Sequence, residues 1–397
     1  MQKGRSTMIS RDHGTRWVLA AVFSTSLGVG LIFGFEPPLI AMVLNRAGHS
    51  TVAIGSVIAV SLVAIVLIGP AYPRLIARIG LQRSVVGGVA FSILVLLLMP
   101  YWTGLTAWLV LRVLTGCALG LAWIASEVWM NRAIPDGARG TVMGIYGTVF
   151  AIGTVAGPAL LEFTGTAGAW PFMAGALCLG LTLLPLALLP QVAASSAEHA
   201  AGHSKPLRDL PRLLPLAPAV MAAALIAGLV ESADLSLLPL YGLRESLGER
   251  SALLLLTTFL AGNVILQLPI GLLADRFGRR FMLGVCALMS GVGPLLLHGC
   301  LHQPWLLGPL LFAWGGTLYA FYSQGVALLG EVFEARDVAG ANTLFVMIYC
   351  SGGVLGPSVG GLMMDLRPHT GLPLLLSVAA FSLLAGLLLG RRRRIRA

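Results

Sequence analysis

Apolar residues in this chain fall in long unbroken runs rather than at the three-and-four spacing of a soluble amphipathic helix. A helix that spans a bilayer needs about 20 apolar residues. Twelve runs approach or exceed that length, near 17–41, 51–72, 84–101, 105–130, 140–162, 168–190, 218–243, 251–274, 281–299, 304–327, 339–365 and 371–390. Polar residues are confined to short islands between them. The longest island, 191–217, contains Ser195, Ser196, Glu198, His199, His203, Lys205 and prolines, and reads as a linker.

The islands repeat. Gly271-Leu272-Leu273-Ala274-Asp275-Arg276-Phe277-Gly278-Arg279-Arg280 has a degraded copy in Pro73–Arg83, and Gly80 and Gly278 are 198 residues apart. Gly153-x3-Gly157-Pro158 returns as Gly352-x3-Gly356-Pro357 at an offset of 199. Two copies of one design are therefore expected in a single chain. The predicted fold is an all-α membrane protein, with twelve transmembrane helices in two pseudo-symmetric six-helix bundles. The bundles are 1–190 and 218–397, joined by a cytoplasmic linker at 191–217.

Composition agrees: 57% of residues are hydrophobic and 11% charged, against about 25% charged in a soluble domain. The net charge of +10 is informative through its placement. With the N-terminus inside, 21 of the 26 Lys and Arg fall in cytoplasmic segments, and only Arg46, Arg244, Arg250 and Arg367 fall on the other side. That bias predicts both termini inside. Trp102, Trp108, Trp170 and Trp305 are then expected at the outer interface. The run Arg391–Arg394 reads as a stop and surface anchor beside anionic lipid, not as a nucleic-acid site. The basic start (Lys3, Arg5, Arg11, Arg16) leads directly into the first run, so no cleavable leader is expected. Cys117, Cys178, Cys286, Cys300 and Cys350 show no metal or disulfide spacing and read as small apolar packers.

One Arg remains inside a span, Arg112, together with four acids: Glu36, Glu127, Glu231 and Asp234. A charge at mid-bilayer costs about 2.5–3.5 kcal/mol on insertion scales, so such residues are candidates for function. Glu36 precedes Pro37-Pro38, a pair expected to kink its helix. Glu231 and Asp234 are three apart, on one helical face, and the 198-residue offset maps Glu36 onto Asp234. Two acids on one face titrate as a unit, which suits a proton switch.

The island after the eighth run matches the pattern G-x-L-x-D-R-x-G-R-R at Gly271, Asp275, Arg276, Gly278, Arg279 and Arg280. With the twelve spans and the six-plus-six repeat, the chain resembles the major facilitator superfamily, and within it the small bacterial YcaD-like transporters. The resemblance implies that this loop latches neighbouring helices on the cytoplasmic side, with Asp275 meeting a helix N-terminus or an Arg. The first-half copy has Ala77 in place of the Asp and Pro73 in place of the first Gly. Arg112-x3-Gly116-x3-Gly120 looks like the family's Arg-bearing motif associated with proton coupling. Trp123-Ile124-Ala125-Ser126-Glu127 resembles the Trp-to-Glu stretch of the YcaD-like group. Gly144-x8-Gly153-x3-Gly157-Pro158 is similar to a motif of drug/proton antiporters, although close packing of small residues alone explains it.

The resemblance further implies that spans one, four, seven and ten line a central cavity, with alternating access as the halves rock about a midplane site. Glu36, Arg112, Asp234 and Glu231 are then candidates for proton coupling. Glu36, Arg112, Glu127, Tyr319, Tyr322 and Gln324 are candidates for substrate contact. The motif residues from Gly271 to Arg280 named above, with Gly153, Gly157, Pro158, Gly356 and Pro357, are candidates for conformational gating. Asn263, Gln267, Asn342 and Tyr349 are secondary wall candidates. Four acids against one Arg favour a cationic or amphipathic substrate exported against protons. The alternative is proton-coupled import of a small carboxylate, sugar-like or siderophore-like solute, with Arg112 as anion clamp. A further alternative, that Arg112 is a structural partner of Glu36, is open. The chain has no P-loop, no G-x-S-x-G and no His-x-x-x-His metal spacing within a domain able to use it; His298 and His302 fall at a loop. No enzymatic activity, metal or cofactor is expected. The expected setting is the bacterial inner membrane, with a small-molecule substrate, protons and lipid as partners and a monomer as the working form.

Overall fold

Lipid offers no hydrogen-bond partner to a peptide group, so a spanning segment must satisfy its own backbone, as a helix does. The computed structural model describes residues 2–102, 104–133, 139–187, 218–333 and 335–394, and among them every regular element is helical. In chain order these are α1 (Gln2–Arg46), α2 (Thr51–Ile68), α3 (Tyr72–Ile79), α4 (Leu81–Leu98), α5 (Leu105–Ala133), α6 (Arg139–Thr164), α7 (Trp170–Leu181), α8 (Leu184–Ala187), α9 (Pro218–Arg244), α10 (Glu249–Phe277), α11 (Arg279–Cys300), α12 (Pro304–Val332), α13 (Ala335–Leu366) and α14 (Gly371–Arg394). Among the described residues, eleven stretches are long and apolar enough to cross a membrane. The twelfth expected span, α12, is 29 residues long, but Pro304, Pro309, Gly315, Gly316 and its aromatic residues dilute its hydropathy.

Helix α1 carries Pro37-Pro38 inside one continuous helix. Two local features differ from the sequence pattern. The second span continues past its expected end through a tight 3-10 turn at Gly69–Ala71 into α3. The sixth divides at Thr182, whose hydroxyl and amide both donate to the carbonyl of Leu179, at 2.6 and 3.2 Å, and close the end of α7. The four tryptophans expected at the outer interface differ in exposure. Trp102, Trp170 and Trp305 are exposed, but Trp108 is 2% exposed and packs against Phe172. An aromatic neighbour on α7 makes it a core residue.

The chain divides into two compact units, residues 1–36 with 63–201 and residues 37–62 with 202–397. The end of α1 and the start of α2 thus belong to the second unit. The expected linker, 191–217, lies outside the described residues.

Within the first unit α4 packs on α5 and α7, and an apolar cluster of Tyr72, Ile76, Val85, Trp129, Met130 and Tyr146 fills one end. Helices α1 and α6 meet at backbone distance. A Cβ on Gly30 or Gly34 would strike the carbonyl of Phe150 or Thr154, and one on Gly153 or Gly157 would strike the backbone of α1. The second unit repeats this seam between α9 and α13, where Gly228, Gly352 and Gly356 face the carbonyls of Tyr349, Leu225 and Leu229. In lipid, where apolar burial between helices gains little, small residues that let backbones approach supply the packing.

Candidate functional site

The charged residues of the spans fall into a group in each unit. In the first, α1 supplies Glu36 and α5 supplies Arg112, 2% and 4% exposed. The Arg112 Nη1 donates to the Glu36 Oε2 in a buried ion pair. Burying two charges is costly unless they face each other closely, and removing one partner strands the other. Glu127 lies fifteen residues further along α5, about 22 Å at a helical rise of 1.5 Å per residue, so it is not part of this pair. Its neighbour in sequence, Trp123, joins Phe33 and Phe150 in an aromatic cluster with ring centroids 5.4 to 6.0 Å apart. Phe33 is one helical turn before Glu36, so the cluster and the ion pair share one helix. Sequence reading singled out Trp123 alone, because Phe33 and Phe150 sit in runs where aromatic residues are common packers.

In the second unit, α9 supplies Glu231 and Asp234, one turn apart as expected. Asp234 is 0% exposed, and neither of its carboxyl oxygens has a hydrogen-bond partner among the described residues. Glu231 is half-buried and accepts a hydrogen bond of 2.8 Å from the Tyr349 hydroxyl on α13. No Lys or Arg among the described residues pairs with either acid. Tyr322 of α12 packs edge-on against Tyr349 at 4.9 Å and against Phe345 at 5.4 Å, and lies 6.2 Å from Tyr319. Gln324 is buried on the same helix. Tyr349, a minor wall candidate by sequence, is therefore the residue that holds Glu231. The signal that could have found it was its place on α13 one turn before the glycine seam.

A second polar cluster, which sequence reading missed, lies where α2 begins and where α9 and α13 end. The Asp365 carboxylate accepts from the Thr51 hydroxyl at 2.5 Å and from the amides of Thr51 and Val52 at 3.2 and 3.0 Å. It thus caps the N-terminus of α2, where unpaired amides favour an anion. Arg244 joins this cap through the Thr51 hydroxyl and Asp365, with a further bond of 2.5 Å to the Met364 carbonyl. Nearby in sequence, Arg46 pairs with Glu249 at 2.5 Å, and Glu245 receives His298 and His369 at 3.2 and 2.9 Å. A carboxylate 314 positions from the helix start that it caps leaves no local signal in the sequence.

The Gly278 turn and its repeat-mate have the same geometry. Gly80 and Gly278 have φ of +88° and +92°, each ends one helix and opens the next, and each donates its amide to a carbonyl four residues back. That backbone conformation favours glycine. Asp275 pairs with Arg279 across the turn at 3.3 Å, Arg276 lies over the Phe277 ring, and Arg280 donates to the Leu387 carbonyl on α14. Of the two partners implied for Asp275, the described residues place an Arg beside it. A Cβ on Gly271 meets open space, while Gly153, Gly157 and Gly356 sit in the helix seams, and Pro357 approaches Gly55 of α2 at backbone distance. Pro158 lies inside α6.

The sequence profile of the Major Facilitator Superfamily matches residues 18–254 and again 242–396. The chain belongs to that superfamily. It is a multi-pass membrane protein of a family whose members are secondary transporters, not enzymes. Two superfamily relatives are an uncharacterised MFS-type transporter, YfkF, of Bacillus subtilis (strain 168) and an uncharacterised MFS-type transporter of Yersinia pestis (strain Pestoides F). The first is 23% identical over 96% of both chains. The second is 26% identical over 79% of this chain and 80% of the relative. Similar superfamily folds include the nucleoside transporter NupG (TM-score 0.74, 13% identity, 94% of this chain and 98% of the other). A D-xylose–proton symporter is similar too (TM-score 0.73, 16% identity, 94% and 97%). At these identities the likeness shows the fold alone.

Proposed function

We propose that this transporter exports a small cationic or amphipathic molecule in exchange for protons, by alternating access. It works as a monomer in the bacterial inner membrane with both termini cytoplasmic. The observation that carries this reading is Asp234, a wholly buried carboxyl group with no hydrogen-bond partner for either oxygen among the described residues. A charge buried without a partner is costly. A carboxyl group in that place is suited to carrying a proton and giving it up only when something positive arrives. Glu231, one turn away and steadied by Tyr349, is the group that meets the arriving cation, with Tyr319, Tyr322 and Gln324 as substrate contacts. Arg112 already faces Glu36, which supports a cation reading over an anion clamp. In this scheme the Glu36–Arg112 pair tunes coupling from the first half, Glu127 contacts substrate at the far end of α5, and the Gly278 turn with its Asp275–Arg279 pair acts in gating.

The test uses everted membrane vesicles energised with a pH gradient and offered lipophilic cations and small carboxylates in turn. Cation-induced collapse of the gradient, absent in Asp234→Asn at equal expression, supports the proposal. Full uphill transport by that variant removes Asp234 from the mechanism. In right-side-out vesicles, proton-driven uptake of carboxylates that is lost in Arg112→Gln and kept in Asp234→Asn replaces export by import.

A further inference from the structure

On α11, residues Arg280, Phe281, Gly284, Val285 and Leu288 follow one another along a single stripe. Opposite them α14 presents Leu384, Leu387 and Leu388. Together they line an elongated groove of about 350 Å³. The stripe from Arg280 to Leu288 is about 12 Å long at 1.5 Å per residue. Its walls are hydrocarbon, and Phe281, Leu288 and Leu388 are exposed. One end differs. There the Arg280 guanidinium reaches across to the Leu387 carbonyl at 3.3 Å, which fixes it over the groove with further donors left to offer. Beyond Leu387 and Leu388 the helix continues into Arg391, Arg392, Arg393 and Arg394. An acyl-sized apolar slot that ends under a fixed cation, with a basic run just past it, is complementary to a lipid with a negative headgroup.

We propose that this groove is a binding site for an anionic phospholipid, with one acyl chain lying between α11 and α14 and the headgroup phosphate at Arg280. The slot supplies affinity for the chain. Arg280 supplies the choice of headgroup, because a fixed guanidinium presents paired donors to phosphate oxygens. The Arg391–Arg394 run gathers such lipids at the membrane surface.

The protein in mild detergent is titrated with phosphatidylglycerol and with phosphatidylcholine of the same acyl chains, and bound lipids are counted by native mass spectrometry. Glycerol phosphate, which has the headgroup charge without the chains, is the third arm. Wild-type protein is expected to retain phosphatidylglycerol several-fold over phosphatidylcholine and to retain no glycerol phosphate. Gly284→Leu plugs the slot. A Cβ there meets only Leu384 at 3.8 Å, so the backbone tolerates the change. This variant should lose the preferred lipid adduct with Arg280 intact. Leu384→Phe fills the slot from the other helix and replaces Gly284→Leu should that variant melt early. Arg280→Gln should keep lipid binding but lose the preference between headgroups. Equal retention of the two lipids by wild-type protein overturns the proposal. So does a phosphatidylglycerol preference unchanged in both the plugged and the Arg280→Gln variants, because the basic run alone would then account for it.

Discussion

Two buried acids on equivalent helices have opposite surroundings. Glu36 on α1 faces Arg112, while Asp234 on α9, its repeat-mate by sequence offset, has no hydrogen-bond partner for either oxygen among the described residues. The same position in a duplicated scaffold has become an ion pair in one copy and a lone carboxyl group in the other. A paired charge is a fixed part of the structure, because neither partner can change state without stranding the other. A lone carboxyl group can gain or lose a proton without breaking any bond to its neighbours. The two copies thus differ in what a substitution disturbs at this position: a charge partner in one, a single buried carboxyl group in the other.

Substitutions can break this contrast. Asp234→Asn should abolish proton-driven transport while leaving the melting temperature in detergent unchanged or raised, read by vesicle flux and thermal unfolding on the same preparation. A large fall in melting temperature would mean that Asp234 is structural after all. Arg112→Gln and Glu36→Gln should each destabilise the protein, by about 3–5 kcal/mol where a buried charge is left alone. The double variant Glu36→Leu with Arg112→Met should recover most of that loss, and a double variant as unstable as the worse single one would refute the pairing argument. Tyr349→Phe removes one hydrogen bond to Glu231, worth about 1–3 kcal/mol. It should slow transport without lowering expression, and unaltered flux would separate Glu231 from the mechanism. Asp365→Asn weakens the cap on α2, at a cost of about 0.5–2 kcal/mol. Faster hydrogen exchange at the amides of Thr51 and Val52 is the measurement that detects it. Gly278→Ala places a Cβ at φ of +92° and should cost about 1–2 kcal/mol, visible as a small drop in melting temperature.

The spans and the repeat were legible because both rest on local pattern: run length sets the spanning helices, and paired glycines mark the two copies. The acids were legible as well, since an ionisable residue stands out in an apolar run. Their partners were legible only in part: Arg112, the one Arg left inside a span, stood as an open alternative for Glu36, while Tyr349 was not named for Glu231. Glu36 and Arg112 are 76 positions apart and Glu231 and Tyr349 are 118 apart. No spacing rule reaches that far, because those contacts depend on how helices rotate about their axes once packed. Trp108 shows the same limit, as its ring could face lipid or core and only the position of Phe172 decided it. The Asp365 cap was invisible for a further reason: an acid near a helix end looks like ordinary solvated charge until the helix start it serves is known.

The glycine seams bear on how variants of this protein should be read. Along α1 and α6, and again along α9 and α13, carbonyl oxygens sit where any larger side chain would need to go. Each pair is packed backbone to backbone at these glycines. A genetic screen that scores only substrate movement would flag Gly30, Gly34, Gly153, Gly228, Gly352 and Gly356 as strongly as the acids. The defect behind those alleles would be failed assembly in the bilayer, with little mature protein to assay. Counting molecules at the membrane before counting turnovers would sort a packing defect from a defect at the acids themselves.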